Sequence, residues 1–273
     1  MGKKNLFKTI RNSINSKEQV LQLIRSLNDT ADYFLAIQNP EDELWKDKPE
    51  IKLALKELKL FQIKQTYSLF LAALRNLELD KLKKLAKICS VISFRYNIIS
   101  GLNPKAQEDV YNSIALKIAG TNNFEVNDFA SIYINDMQFE NAFTNKELKN
   151  TTRNLKIVKY ILLKIEIYLH RNDIDTESDV FTIKHILPQS AHEHWGEFTY
   201  EEMNRSIYRM GNLTLLEKKL NQEAEQKPYT DKLNIYRRSN SKLTQEIAER
   251  YHSWNESRIA SRQKELAKHA KSV

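Results

Sequence analysis

From Ser16 onward the apolar residues return at helical intervals. Ser16 with Gln19 reads as a capping box, and Val20, Ile24, Leu27, Ala31 and Phe34 follow at spacings of four and three. This predicts an amphipathic helix to roughly Gln38, stopped by Asn39-Pro40 because a residue before proline is driven out of the helical region. A second pattern opens after Pro49 and carries Ile51, Leu55, Leu58, Phe70, Ala73, Leu74 and Leu77, a length that asks for a bend or two helices. Asp80 caps a third helix with Leu82, Leu85, Cys89 and Ile92 as its buried stripe. Asn103-Pro104 starts a fourth, running to the Gly120-Thr121 break. Shorter helices are predicted near Val126–Tyr133 and, from a Thr144/Glu147 capping box, toward Asn150. Leu155 to His170 is strongly apolar through Val158, Ile161, Leu162, Ile165 and Leu169, and is expected to be the central helix of a bundle. The polar residues of this half are scattered, which suits a scaffold.

The period changes after the acidic link 172–179. That link is expected to divide a helical scaffold domain, 1–175, from a second domain, 176–273. Phe181-Thr182-Ile183 is β-branched and aromatic, and Ile186-Leu187-Pro188 brings the run to a stop, so a strand is predicted with His185 near its end. Gly211 permits a tight turn, Leu213-Thr214-Leu215-Leu216 reads as a short buried strand, and good helix formers follow from Glu217. Asn221 then lies on the first turns of a helix, and the whole is a ββα arrangement around one metal ion. Thr230 or Asp231 starts a short helix, and Ser239-Asn240-Ser241 breaks the chain before a long terminal helix, about Lys242 to Lys268. Along it Arg250, Trp254, Arg258 and Arg262 recur every four residues. A basic stripe of that kind suits a phosphate backbone. Its alternative is packing of Trp254 with Ile247 and Tyr251 and pairing of the arginines with Glu246 and Glu265. The expected fold is mainly α: an N-terminal helical bundle, then a small α+β domain with a long C-terminal helix.

Composition narrows the partners. With 41% hydrophobic and 29% charged the chain is a soluble globular one, and a formal charge of +8 over 273 residues fits either a polyanionic partner, nucleic acid first, or a basic protein with no such partner. The single cysteine, Cys89, excludes an internal disulfide and a cysteine-built zinc site. No apolar run approaches the roughly 20 residues of a membrane span, and the N-terminus lacks the apolar core of a secretory signal, so a cytoplasmic location is expected.

His185-Ile186-Leu187-Pro188-Gln189, Trp195, Gly211-Asn212-Leu213-Thr214-Leu215-Leu216, Asn221, Lys227, Trp254 and Arg262 together resemble an HNH-type (ββα-metal) nuclease motif. More narrowly, they resemble the C-terminal nuclease domain of the GmrSD family of modification-dependent restriction endonucleases. The resemblance covers about the last third of the chain, and the preceding helices resemble, more loosely, the helical region before this domain in fused members. It implies a metal-dependent endonuclease that hydrolyses double-stranded foreign or modified DNA in phage defence, with Mg²⁺ (or Mn²⁺). It also implies the roles. His185 is the general base, Asn221 a metal ligand through its side-chain carbonyl, and Asn212 the residue that fixes the loop and orients His185. Lys227 and Arg209 would hold the scissile or adjacent phosphate, while Arg258 and Arg262 are the terminal helix's candidates for DNA contact. Family members pair this domain with a nucleotide-using, ParB-like N-terminal domain. Nothing in the chain matches it, so a C-terminal fragment or a separate nuclease subunit is expected.

One position departs from the family pattern. Before the His the family usually has an acidic metal ligand, and here stands Lys184, a cation that repels Mg²⁺. Either the chain is weakened or inactive, or water and substrate phosphate fill the place. Two rivals follow. One is an HNH-like module that binds DNA or a protein without cutting. The other is a zinc hydrolase using His192 and His194 beside His185, although zinc wants three firm ligands and no HExxH helix exists.

Overall fold

The structure, a computed structural model, describes residues 3–171, 174, 179–190, 195, 196 and 198–272. It divides into two compact units, residues 1–94 with 103–133, and residues 95–102 with 134–273.

The first unit carries α1 (Lys3–Ser13), α2 (Lys17–Gln38), α3 (Pro49–Phe61), α4 (Tyr67–Asn76), α5 (Leu79–Ser93) and α6 (Pro104–Thr121), then a 3₁₀ segment Val126–Ile132. Ser16 caps α2 by accepting from the Gln19 amide (3.2 Å), and Asn103 caps α6 by accepting from Lys105 (3.0 Å). The long second pattern is two helices, parted where Gln62 takes a left-handed φ of 60°. Their stripes go to different neighbours, α3 to α5 and α4 to α6. Asp80 is not the cap of α5. Glu78 holds the N-cap position without a side-chain bond, and Asp80 lies in the first turn, where a carboxylate suits the helix dipole. Trp45, Ile51, Leu69, Phe70, Leu85 and Tyr111 centre the core. Cys89 is fully buried among such residues, which pushes its thiol well above the usual range and leaves it inert.

The second unit holds α7 (Asp136–Thr144), α8 (Thr152–His170), β1 (Phe181–His185), α9 (Tyr200–Ser206), β2 (Leu213–Glu217), α10 (Lys218–Ala224), α11 (Tyr229–Tyr236), α12 (Lys242–Arg250) and α13 (Glu256–Ala270). The units part between residues 133 and 134, so α8 is not the central helix of the N-terminal bundle. Its wide stripe faces both strands, α12 and α13 instead. Glu166, fully buried on α8, accepts from Ser241 Oγ (2.9 Å) and from the amides of Lys242 (2.8 Å) and Leu243 (2.9 Å), closing the start of α12. Of the acidic link, residues 172, 173 and 175–178 lie outside the described residues, as do His192 and His194. Thr144 ends a helix rather than starting one. Asn135 and Gln138 form the capping box of α7, and Thr151 caps α8.

The predicted long terminal helix is broken. The chain leaves the helix at Tyr251 and re-enters it after Asn255, which accepts from the Arg258 amide (3.0 Å). The break lets Trp254, 2% exposed, stack on Tyr229 with ring centroids 5.4 Å apart. Arg250, Trp254, Arg258 and Arg262 therefore do not form one stripe, and Arg250 pairs with Glu265 (2.6 Å). After the break α13 lies against the turn before β2. At Gly211 a Cβ would run into the main-chain carbonyl of Ile259. Gly211→Ala is expected to lower stability by about 2–3 kcal/mol, read from the midpoint of urea unfolding, because backbone must move to admit it.

Candidate functional site

The site grows from the hairpin of β1 and β2. The strands are antiparallel, with Phe181 opposite Glu217, Ile183 opposite Leu215 and His185 opposite Leu213. Leu213, Leu215 and Leu216 are buried, as two packed faces require. α10 follows β2 without a loop and lies against both strands, which completes the ββα unit.

Asn212 ties this unit together. Its Oδ1 accepts from the Leu187 amide (2.8 Å) and from Trp254 Nε1 (3.1 Å). Its Nδ2 donates to the carbonyls of Leu187 (3.0 Å) and Ile207 (3.1 Å), while its own carbonyl accepts from the Ile186 amide (2.9 Å). The segment just after His185 is thereby pinned from both sides. Asn212 is fully buried and touches no open space, so it is a positioning residue.

His185, Lys184 and Asn221 meet on one cavity of about 360 Å³, with Gln189, Ser190 and Glu225 also on its wall. His185 stands edge-on to Tyr208, with centroids 6.1 Å apart. Gln189 Nε2 lies 3.4 Å from its Nε2, and since an amide nitrogen only donates, that ring nitrogen is the accepting one. Burial first, then the ammoniums of Lys184 and Lys232, push the imidazole down to about 4. It is neutral at pH 7, and its one lone pair, of low basicity, faces the Gln189 amide. Asn221 donates through Nδ2 to Thr182 Oγ1 (2.8 Å) and to the Ile183 carbonyl (3.1 Å). The Ile183 carbonyl can only accept, which fixes the amide's orientation and leaves Oδ1 as the uncommitted end.

Lys184 is 7% exposed. Its Nζ donates to the carbonyls of Glu225 (2.8 Å) and Asn221 (3.3 Å). Burial lowers it to about 8, with Glu225 pulling the other way, so it remains mostly charged at pH 7. Lys232 carries no signal in sequence, because lysine is ordinarily a surface residue. It is fully buried on α11, donates to the Ile186 carbonyl (2.8 Å) and lies 4.9 Å from the centre of the Trp195 ring. Burial, then Lys184, lowers it to about 7.

These residues do not fit a hard divalent ion. Mg²⁺ demands roughly six oxygen donors and is normally held through one or two carboxylates. Among the described residues no three His, Cys, Asp or Glu side chains gather to hold a metal. Among the described residues the cavity wall has one acidic side chain, the exposed Glu225, and an ammonium fixed beside it.

Two of the expected DNA contacts are corrected. Arg262 is 4% exposed, and its guanidinium donates to the carbonyls of Gly211 (2.8 Å) and Leu213 (2.8 Å), so it braces the turn before β2 and cannot reach a duplex. Arg209 is half-buried and spent on Gln263 Oε1 (3.1 Å) and the Thr144 carbonyl (2.9 Å). Lys227 and Arg258 are exposed and keep their place as candidates.

Comparison with known families matches residues 133–269 to the family described as GmrSD restriction endonucleases, C-terminal domain. That span covers most of the second unit's longer segment, 134–273, and takes in both strands and α10. No curated protein matches the chain.

Asn212→Ala would leave the Trp254 indole N–H, the Leu187 amide and two carbonyls unpaired in the interior. It is expected to cost about 3 kcal/mol or more in urea unfolding. The His185 imidazole adds a pH dependence. The unfolded chain takes its proton near 6.5 and the folded chain only near 4, so this stabilisation is complete above 6.5 and is lost as the pH falls toward 4. Unfolding midpoints recorded across that window are expected to fall more steeply for the wild type than for His185→Gln.

Proposed function

The chain belongs to the GmrSD restriction endonucleases through their C-terminal domain, and on that premise we propose that its ββα unit works on the phosphodiester backbone of double-stranded DNA, with cleavage held weak by Lys184. The observation that carries this reading is the convergence of His185 and Asn221, distant in sequence, on one open cavity. The chain's formal charge of +8 suits a polyanionic partner.

Hydrolysis needs a water oxygen to attack phosphorus as the bond to the 3′ oxygen breaks, the departing 3′ oxygen taking a proton from solvent. The accepting nitrogen of neutral His185 takes the proton of that water once the exposed Gln189 amide yields its place there. Its low basicity makes it a slow base, and Lys184 is one cause of that low basicity. The Lys184 ammonium offers charge to a non-bridging phosphate oxygen. Lys227 and Arg258, both exposed, suit the flanking backbone. Recognition of the modification, and any nucleotide use, would fall to a ParB-like domain or subunit.

A second reading, a module that binds DNA without cutting it, is favoured by the same lysine. With its ammonium tethered to Asn221 and Glu225, the place of the family's acidic ligand is filled. A plasmid-nicking assay with Mg²⁺ separates the two. Slow nicking by the wild type, lost in His185→Ala and raised at least tenfold in Lys184→Glu, is the outcome expected of a weakened nuclease. No nicking by either the wild type or Lys184→Glu, alongside salt-dependent duplex binding, would establish the non-cutting module instead.

A further inference from the structure

The misfit between this cavity and a divalent ion points to what the cavity uses instead, and the inference rests on the reading that this site meets DNA. We infer that the Lys184 ammonium is the resident cation of the ββα cavity and takes a backbone phosphate oxygen directly, with no divalent ion between them.

An ammonium has three N–H groups. Lys184 spends two of them, on the carbonyls of Glu225 and Asn221. The third has no acceptor among the described residues, and the side chain lines the cavity. The ammonium is also held, not merely nearby. Glu225 adopts a φ of 27°, a costly conformation for a residue with a Cβ, and its carbonyl is the nearer acceptor. Thr182, two residues before Lys184 and so on the same face of β1, accepts from Asn221 Nδ2 (2.8 Å), which clamps α10 to the strand beside the ammonium. A divalent ion entering this space would face a fixed positive charge with, among the described residues, a single exposed carboxylate to offset it. A phosphate oxygen would find a charged donor and a neutral imidazole on the same wall. The cavity is therefore built for the anion and against the metal.

Two measurements test this on the full chain. The first is Mn²⁺ titration followed by electron paramagnetic resonance, on wild type, Lys184→Glu and Lys184→Met, each checked for folding by thermal melting. The second is fluorescence anisotropy of a labelled DNA duplex in Mg²⁺ or in EDTA. The wild type is expected to leave Mn²⁺ free, and Lys184→Glu to gain a bound ion. Wild-type duplex affinity is expected to be the same in both buffers and to fall about tenfold in Lys184→Met. Mn²⁺ bound by the wild type, or a folded Lys184→Glu that gains no ion, overturns the assignment of Lys184. So does a folded Lys184→Met that binds the duplex as tightly as the wild type. A wild type that binds no duplex in either buffer overturns the DNA reading of the site. The two failures appear in different arms.

Discussion

Asn212 spends every donor and acceptor of its side-chain amide inside the protein, and the candidate site depends on that closure. Leu187, Ile207 and Trp254 come from three separate stretches of chain, and one amide holds them. A buried amide is tolerated because each of its groups is satisfied; the same group half-paired would be a net cost. The segment after β1 is thereby fixed relative to the turn before β2, and His185 stands where that segment puts it. Gly211 is part of the same constraint. Without a side chain it lets α13 approach, and Arg262 on α13 can then reach the carbonyls on either side of Asn212.

The ββα unit is also organised by buried cations that are satisfied by carbonyls rather than by carboxylates. Lys184 holds the end of α10, Lys232 holds Ile186, and Arg262 holds Gly211 and Leu213. Arg262 stays charged at neutral pH even though burial lowers it to about 10. The main-chain stretches that shape the cavity are thus tied to Lys184 and Arg262, charged at pH 7, and to Lys232, which burial leaves about half charged. Carbonyl dipoles can satisfy the donors of a cation but do not neutralise it, so the region remains electropositive. Together with burial, the larger cause, that charge pushes His185 down, and it makes the cavity suit a phosphate.

The helices were legible where one stripe faced one neighbour. The caps at Ser16 and Asn103 and the ββα order of Phe181 to Ala224 all stand as their local signals predict. His185 and Asn221 were legible because two short motifs place them at strand end and helix start. Periodicity failed where the decision lay elsewhere in the chain. Arg250, Trp254, Arg258 and Arg262 keep a spacing of four, yet Trp254 goes to Tyr229 and the helix breaks to allow it. The stripe of α8 was read correctly as wide and apolar, but a stripe does not name its partner, and the strands claimed it.

By itself the sequence determined the two strands, most of the helices, the family, and the residue types available for chemistry, because spacing, capping and turn residues act within a few positions. Tertiary structure decided what each charge is for. Whether an arginine meets solvent or a carbonyl, and whether a lysine before the key histidine hangs free or is bound to the end of a helix some forty residues on, depends on packing between distant elements. Local pattern carries no record of that.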